Sequence, residues 1–279
     1  MFILSFLLCG LYDQGEWKFM TSPILDPSAA LDSSPVLDSS TALGSLPALG
    51  SLPVLYSLRN CPYAMRSRLA IFRSKQAVEL RDVVLTDKPP QMIAASSKAT
   101  VPILVLASSK VIDESLDVML WALGESDPNN LLRTDRSTNE SVSSNKTMGA
   151  IKLEDIRNLV ALFDREFIPC LDAYKCAKRY HESNLQECRQ ACEVYIQQLE
   201  QRLSSHTYLI DDEESMADIA LLPFIRKFAK VERQWYQQSP YLNLRRWLNR
   251  YLQSAMFNKV MAKYPLWSLG QPVIKFGDF

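Results

Sequence analysis

The sequence predicts an α/β domain over residues 52–126 followed by an all-α helical domain over 151–270. Three observations predict it. Apolar strand-like runs alternate with helix-period segments between Pro53 and Gly124. The pair Cys61-Pro62 stands where the first of those runs gives way to a helix, and proline is well tolerated in a first helical turn. From Lys152 onward the apolar positions keep helical spacing. A chain of 279 residues with 47% apolar content can bury one large core or two modest ones.

In the first domain the reading is a strand at 53–58, a helix at 62–75 and a strand at 78–85. A short helix or loop follows near 89–96, then strands at 102–107 and 109–113 and a helix at 114–124. Residues 127–150, rich in Ser, Asn and Thr, predict a long interdomain linker. In the second domain Ile156, Leu159, Val160 and Phe163 share one helix face, and Pro169 is expected to kink or end that helix. Leu185 to Leu203 is a further helix, with Val194, Ile196 and Leu199 among its apolar positions. Ser215-Met216-Ala217-Asp218 is a capping box with Asp in place of Glu, a feature of structure rather than catalysis. Helices at 242–251 and 256–264 follow, and 271–279 is a tail.

Cys61 belongs at the N-cap of the 62–75 helix, facing the positive end of the helix dipole. That setting favours thiolate over thiol, so Cys61 is expected to titrate below a free cysteine and to act as a nucleophile. The plainer alternative is a buried small apolar residue. Two later segments favour chemistry. Thr100-Val101-Pro102-Ile103 opens a strand with a proline, which cannot donate to a central ladder. Asp113-Glu114-Ser115 opens a helix, where free N–H groups and a hydroxyl can hold a carboxylate and Glu114 can pair with an amine. A ligand with an amine, a carboxylate, peptide bonds and a thiol fits these groups together, and glutathione is such a ligand.

Residues 53–124 resemble the N-terminal domain of a cytosolic glutathione transferase of the cysteine type. Tyr56-Ser57-Leu58-Arg59-Asn60-Cys61-Pro62-Tyr63-Ala64 is most similar to the omega class. The resemblance implies a thioredoxin-like N-terminal domain in which Pro102 is the cis-proline, and an all-helical C-terminal domain that forms the second-substrate pocket. It implies that Cys61 is catalytic and forms a mixed disulfide with glutathione. Val101 would pair with the backbone of the glutathione cysteine, Glu114 and Ser115 would bind its γ-glutamyl group, and Lys88 would lie near its glycine carboxylate. Glutathione is then the co-substrate, and the partner is a small-molecule or protein disulfide or an electrophile. Thiol transfer, dehydroascorbate reduction and a homodimer are further implications.

The chain also departs from that pattern. The turn before Val101-Pro102 reads Ser96-Ser97-Lys98-Ala99 with no glycine, so it either avoids positive φ or strains Ala99. Ala64, three residues after Cys61, excludes a dithiol cycle within the motif, leaving external glutathione as the resolving thiol. Conjugation of glutathione to electrophiles with Ser57 or Tyr56 as activator is the rival chemistry, and a non-catalytic glutathione-binding module is the rival class.

Lys+Arg and Asp+Glu each total 31, which offers no electrostatic argument for nucleic acid or an anionic membrane. Six cysteines in a chain of this length suit a reducing cytoplasm rather than a disulfide scaffold. Cys188 and Cys192 lie one turn apart near His181, but no paired metal motif exists, so no metal is expected. The stripe Arg59, Arg66, Arg68 and Arg73 is expected to be a solvated helix face, with Arg59 and Arg66 raising the positive potential at Cys61. Trp235, Tyr236 and Tyr241 read as core, and Tyr174 and Tyr180 as candidates to line the substrate pocket.

Residues 1–51 read as a disordered Pro/Ser-rich leader. Leucines recur every six residues from Leu25 to Leu55, in hexads such as LDSSPV and LGSLPA. Five hexads make under two turns of a β-helix, so an extended tail is preferred. The apolar run Phe2–Leu8 is too short to span a bilayer and lacks a basic flank. It is either a hydrophobic leader or sequence upstream of a start at Met20.

Overall fold

The structure is a computed structural model that describes residues 52–134 and 153–278, together with the backbone of two short strands near the N-terminus. Those strands, β1 (Leu11–Asp13) and β2 (Glu16–Lys18), pair antiparallel, where the sequence reading expected a leader without regular structure. They belong to a unit of their own, residues 1–46. The apolar run at 2–8 and the hexapeptide repeat up to Gly50 lie outside the described residues, as does the linker from 135 to 152.

The main body begins with β3 (Val54–Ser57), α1 (Pro62–Ser74) and β4 (Val78–Asp82). It continues with α2 (Pro90–Ala95), β5 (Ile103–Val105), β6 (Val111–Ile112) and α3 (Ser115–Glu125). β3 and β4 are parallel, with Leu55 opposite Leu80, and α1 makes the crossover between them. β5 returns antiparallel to β3, and β6 antiparallel to β5. This mixed sheet with α1 and α3 against it is a thioredoxin-like domain. Alternation along the strands separates its faces. Leu55, Leu80 and Leu104 join the large core under the helices, while Val54, Tyr56, Ile103 and Val105 form a second core with Cys61 and Met92.

The helical domain follows. α4 (Leu153–Leu162) passes through a π-helical turn, Phe163–Phe167, into α5 (Ile168–Tyr180). Pro169 therefore does not end the helix. The π turn re-routes the backbone bonds just before it, with Ile168 N–H reaching Phe163 O. α6 (Leu185–Ser205) buries Cys192, Ile196, Leu199 and Leu203, and leaves Val194 exposed, against expectation. α7 (Met216–Val231) begins at the expected capping box, with both reciprocal bonds formed between Ser215 and Asp218. α8 (Arg233–Gln238), α9 (Leu242–Leu252) and α10 (Ala255–Val260) complete the domain.

Two segments depart from the sequence reading. The first residues of the expected linker are docked, because Leu131 and Leu132 are buried and the Asp127 carboxylate accepts both their N–H groups. The tail adds β7 (Lys275–Phe276) antiparallel to the free edge of β4. Phe276 is fully buried, and Gly277 has φ 97°, where an added Cβ would lie 1.9 Å from Gln76 O. The sheet order is β6-β5-β3-β4-β7. Among the described residues no helix is long and apolar enough to cross a membrane.

Candidate functional site

Cys61 is the N-cap residue of α1, in extended backbone, with Pro62 opening the helix as expected. Only 8% of the residue is exposed. Its thiol faces the Val101 carbonyl at 3.8 Å, directly before the cis Val101–Pro102 bond. The Val101 N–H has no hydrogen-bond partner among the described residues. A peptide-like ligand lying beside Cys61 therefore finds an open backbone edge.

The expectation of a lowered Cys61 pKa is not met. Burial pushes the thiol up from its ordinary value. The Ala64 and Tyr63 backbone N–H groups, the Lys227 ammonium and the Arg66 guanidinium oppose that push without overcoming it. Arg59 is not among the leading influences on the thiol. Burial likewise raises Cys170, Cys188 and Cys192, and at those three no cation is among the leading influences.

Glu114 and Ser115 occupy the start of α3 as the sequence predicts, Glu114 as N-cap and Ser115 as the first helical residue. Their surroundings were not legible. The Glu114 carboxylate, 62% exposed, is held by Lys98 Nζ at 2.5 Å. Lys98 also bonds Asp113 at 3.0 Å, and Ser96 Oγ donates to the other Asp113 oxygen at 2.6 Å. Burial raises the Asp113 pKa, but the Ser96 and Lys98 bonds outweigh it and hold the carboxyl below its usual range. Ala99 carries the turn with φ 45°, the strained alternative of the two foreseen. Lys98 thus stands beside the carboxylate that a ligand amine would use.

Ser115 is buried, and its Oγ accepts from Arg66 Nε at 2.9 Å. The other two nitrogens of Arg66 form a two-pronged pair with Asp164 of the π turn, at 2.8 and 2.9 Å. Arg66 is therefore no solvated residue. It fixes α3 and the helical domain to α1. Arg68, also expected in solvent, is fully buried and donates to Ser57 Oγ at 2.7 Å and to Asp82 at 2.5 Å. Both errors have one cause: the fold brings the neutralising acids from other elements, Asp164 from the π turn and Asp82 from β4.

The alternative activators are engaged elsewhere. Ser57 is held by Arg68 on the helix-covered face of the sheet. The Tyr56 hydroxyl accepts from Arg81 Nη1 at 2.7 Å, and its ring packs edge-on against Trp267. Burial raises the Tyr56 pKa, against the pull of Arg81. Lys88, half-buried in the loop before α2, has no ion-pair partner among the described residues.

Past Asn60, Pro62 and Met65 opens a cleft of about 450 Å³ between α1, α5 and α7. Its other walls carry Lys175, Lys178, Arg179, Arg226, Lys227 and Lys230, with no acidic residue. The tyrosines expected there are absent from it. Tyr174 is buried and donates to Glu232 at 2.8 Å, and Tyr180 is exposed. Among the described residues no group of three or more His, Cys, Asp or Glu side chains is placed to hold a metal ion.

The glutathione S-transferase N-terminal domain model matches residues 55–130, and the corresponding C-terminal domain model matches residues 159–255. Together they cover more than half of the chain. No curated protein matches the sequence. Among solved structures, a glutathione transferase from Methylobacillus flagellatus with glutathione bound superimposes with a TM-score of 0.59 at 18% identity, over 75% of this chain and 98% of that one. A transferase from Phanerochaete chrysosporium in complex with oxidised glutathione gives 0.61 at 16% identity, over 76% and 95%. Glutathione transferase Omega 3C from Trametes versicolor gives 0.60 at 18% identity, over 75% and 82%. At these identities the likeness is one of fold. With the two family matches, the mixed sheet and its helical partner domain, the chain belongs to the glutathione S-transferase family.

Proposed function

We propose that this protein is a glutathione-dependent thiol transferase and disulfide reductase in which Cys61 is the nucleophile. One observation carries the reading: the Cys61 thiol at the α1 N-terminus faces the Val101 carbonyl and sits within reach of two helix N–H groups, Lys227 and Arg66. Cys61 thiolate attacks one sulfur of a disulfide, and that S–S bond breaks. The departing thiolate takes a proton from solvent. When the sulfur attacked is that of glutathione, the product is a Cys61–glutathione disulfide. A second glutathione then attacks this disulfide, yielding oxidised glutathione and free Cys61. Val101 and Pro102 align the glutathione backbone, Glu114 and Ser115 hold its γ-glutamyl end, and Lys88 serves its glycine carboxylate. The glutathione bound in the Methylobacillus flagellatus relative supports glutathione as co-substrate here. Dehydroascorbate is a further candidate substrate. Conjugation driven by Ser57 or Tyr56 is disfavoured, because both hydroxyls already serve arginines away from Cys61.

The raised thiol pKa sets the expected pH profile. Reductase kcat/KM should still be climbing at about pH 8.5, the ordinary cysteine range. Lys227→Met, by removing a charge that favours the thiolate, should move the rise to higher pH. The decisive variant is Cys61→Ser. It should abolish reductase turnover while retaining glutathione affinity, because recognition rests on other residues. Reductase turnover equal to wild type in that variant would remove Cys61 from the chemistry.

A further inference from the structure

The first cleft does not end at α7. It shares Arg226 and Lys230 with a second cleft of about 610 Å³, whose walls add Arg233, Arg245 and Arg246. The two form a trough that starts beside Cys61 and runs along α7 toward α8 and α9. Arg226 and Lys230 lie one turn apart on α7, and Arg233 opens α8 just after the helix break at Glu232. In a chain whose charges balance at 31 of each sign, this trough gathers cations from four helices.

Neutralisation is confined to its outer wall. Lys175 is paired with Asp172 at 2.6 Å, and Lys178 faces Glu232 at 3.5 Å. Among the described residues Arg226, Lys227, Lys230, Arg233, Arg245 and Arg246 have no ion-pair partner, although Arg226 lies over the Phe257 ring and Arg245 donates to the Gln237 carbonyl. Burial and repulsion act against the three on α7: Arg226 is disfavoured by Arg59, Lys230 by Arg226 and Arg233, and Lys227 by Lys175, against a smaller pull from Asp172. Cations held together at such a cost, in a concave low-dielectric wall, raise the local concentration of anions. The dipole at the end of α7 favours Lys230, but it does not account for Arg245 and Arg246 on α9.

We propose that this trough selects the second substrate, which is an acidic polypeptide carrying a glutathione mixed disulfide on a cysteine flanked by Asp or Glu. The proposal rests on the thiol-transfer reading for its chemistry and names the substrate class of that site. The trough's length fits an extended peptide better than a small anion. Nucleic acid is the weaker fit, because the one aromatic ring in the second cleft, Tyr236, is buried and offers no stacking face. Cys61 thiolate takes the glutathionyl group, the peptide thiolate leaves and is protonated by solvent, and a second glutathione regenerates Cys61 as oxidised glutathione forms.

The test uses short peptides glutathionylated on one cysteine and flanked by glutamates, by serines or by lysines. Binding is read by fluorescence anisotropy on the full-length Cys61→Ser protein, where no turnover intervenes. The acidic peptide should bind roughly tenfold or more tighter than the serine peptide at low ionic strength. High salt should erase the difference. Lys230→Glu with Arg233→Glu should remove it while glutathione affinity stays at the wild-type level. If the double variant fails to fold, Lys230→Gln alone should reduce the preference in the same direction. Equal binding of the three peptides would overturn the proposal, as would tighter, salt-sensitive binding of a single-stranded oligonucleotide. Turnover by the wild-type protein separates the two readings. Charge-ordered binding without turnover would sink the thiol-transfer reading alone. Equal kcat/KM for all three peptides would leave that reading standing and sink the acidic-substrate inference.

Discussion

Helix α1 carries Arg66, Arg68 and Arg73, and each is closed off by an acid: Asp164, Asp82 and Glu214 in turn. Helix α7 carries Arg226, Lys227 and Lys230, and none is paired among the described residues. In sequence the first set reads as a solvent face, and the second has no assigned role. The structure assigns the two sets differently. The α1 arginines are structural pins, two of them buried, that join the sheet, α3 and the helical domain. The α7 cations line a cleft without a direct ion pair among the described residues, although Arg226 lies over the Phe257 ring and Asp172 favours the Lys227 charge. What separates a structural cation from one awaiting a ligand is its partner, and the partner is set by the tertiary fold.

This contrast can be broken by removing cations from each helix in turn. The largest effect is expected from Arg68→Ala, which would leave the buried Asp82 carboxylate uncompensated. A loss of about 3–5 kcal/mol is expected, read as a lower urea midpoint. Arg66→Ala should cost about 1–3 kcal/mol, less because Asp164 is partly exposed. It should also weaken glutathione binding, since Ser115 loses the donor that orients it. A neutral effect for both would mean that the α1 arginines are no pins. On α7, Lys230→Gln should change stability by less than about 0.5 kcal/mol, or raise it slightly. A loss as large as that of Arg66→Ala would make the α7 cations structural as well.

The start of α7 sharpens the comparison through pH. Asp218 is fully buried, and desolvation pushes its carboxyl up to about 6 against the bonds from Leu209 N–H, Ser215 and Trp247. The folded state therefore holds this proton more firmly than the unfolded chain, whose Asp titrates near about 4. The resulting contribution is fully present below that value and is lost as pH rises through the folded pKa. Between about pH 7 and about pH 5 the wild type should gain about 1 kcal/mol that Asp218→Asn does not. Denaturant melts of the two proteins at both pH values check this, and a gap that stays constant or narrows on acidification would contradict it.

Much of the α/β half was legible because its signals are local. The order of strands and helices follows from periodicity, and Cys61-Pro62, Val101-Pro102 and Glu114-Ser115 each mark an element boundary that the backbone obeys. The capping box at Ser215 was legible for the same reason. What escaped depends on residues distant in sequence. A two-residue strand such as β7 has no period to detect, and it forms because Phe276 finds a buried site. Lys98 reaches Glu114 from a turn in which Ala99 adopts a positive φ that its residue type does not advertise. The rise in the Cys61 pKa reflects burial, which the helix-dipole argument did not weigh. The basic trough draws on α5, α7, α8 and α9, so no single stretch of sequence displays it.

The central claim is that Cys61 is the thiol that exchanges with glutathione. It is tested most directly by incubating the full-length protein with oxidised glutathione and locating the adduct by intact and peptide mass spectrometry. The account predicts a single early glutathione adduct on Cys61, ahead of Cys170, Cys176 and Cys188, and none on the fully buried Cys192. Early modification at Cys170, Cys176 or Cys188 with Cys61 left free would contradict it.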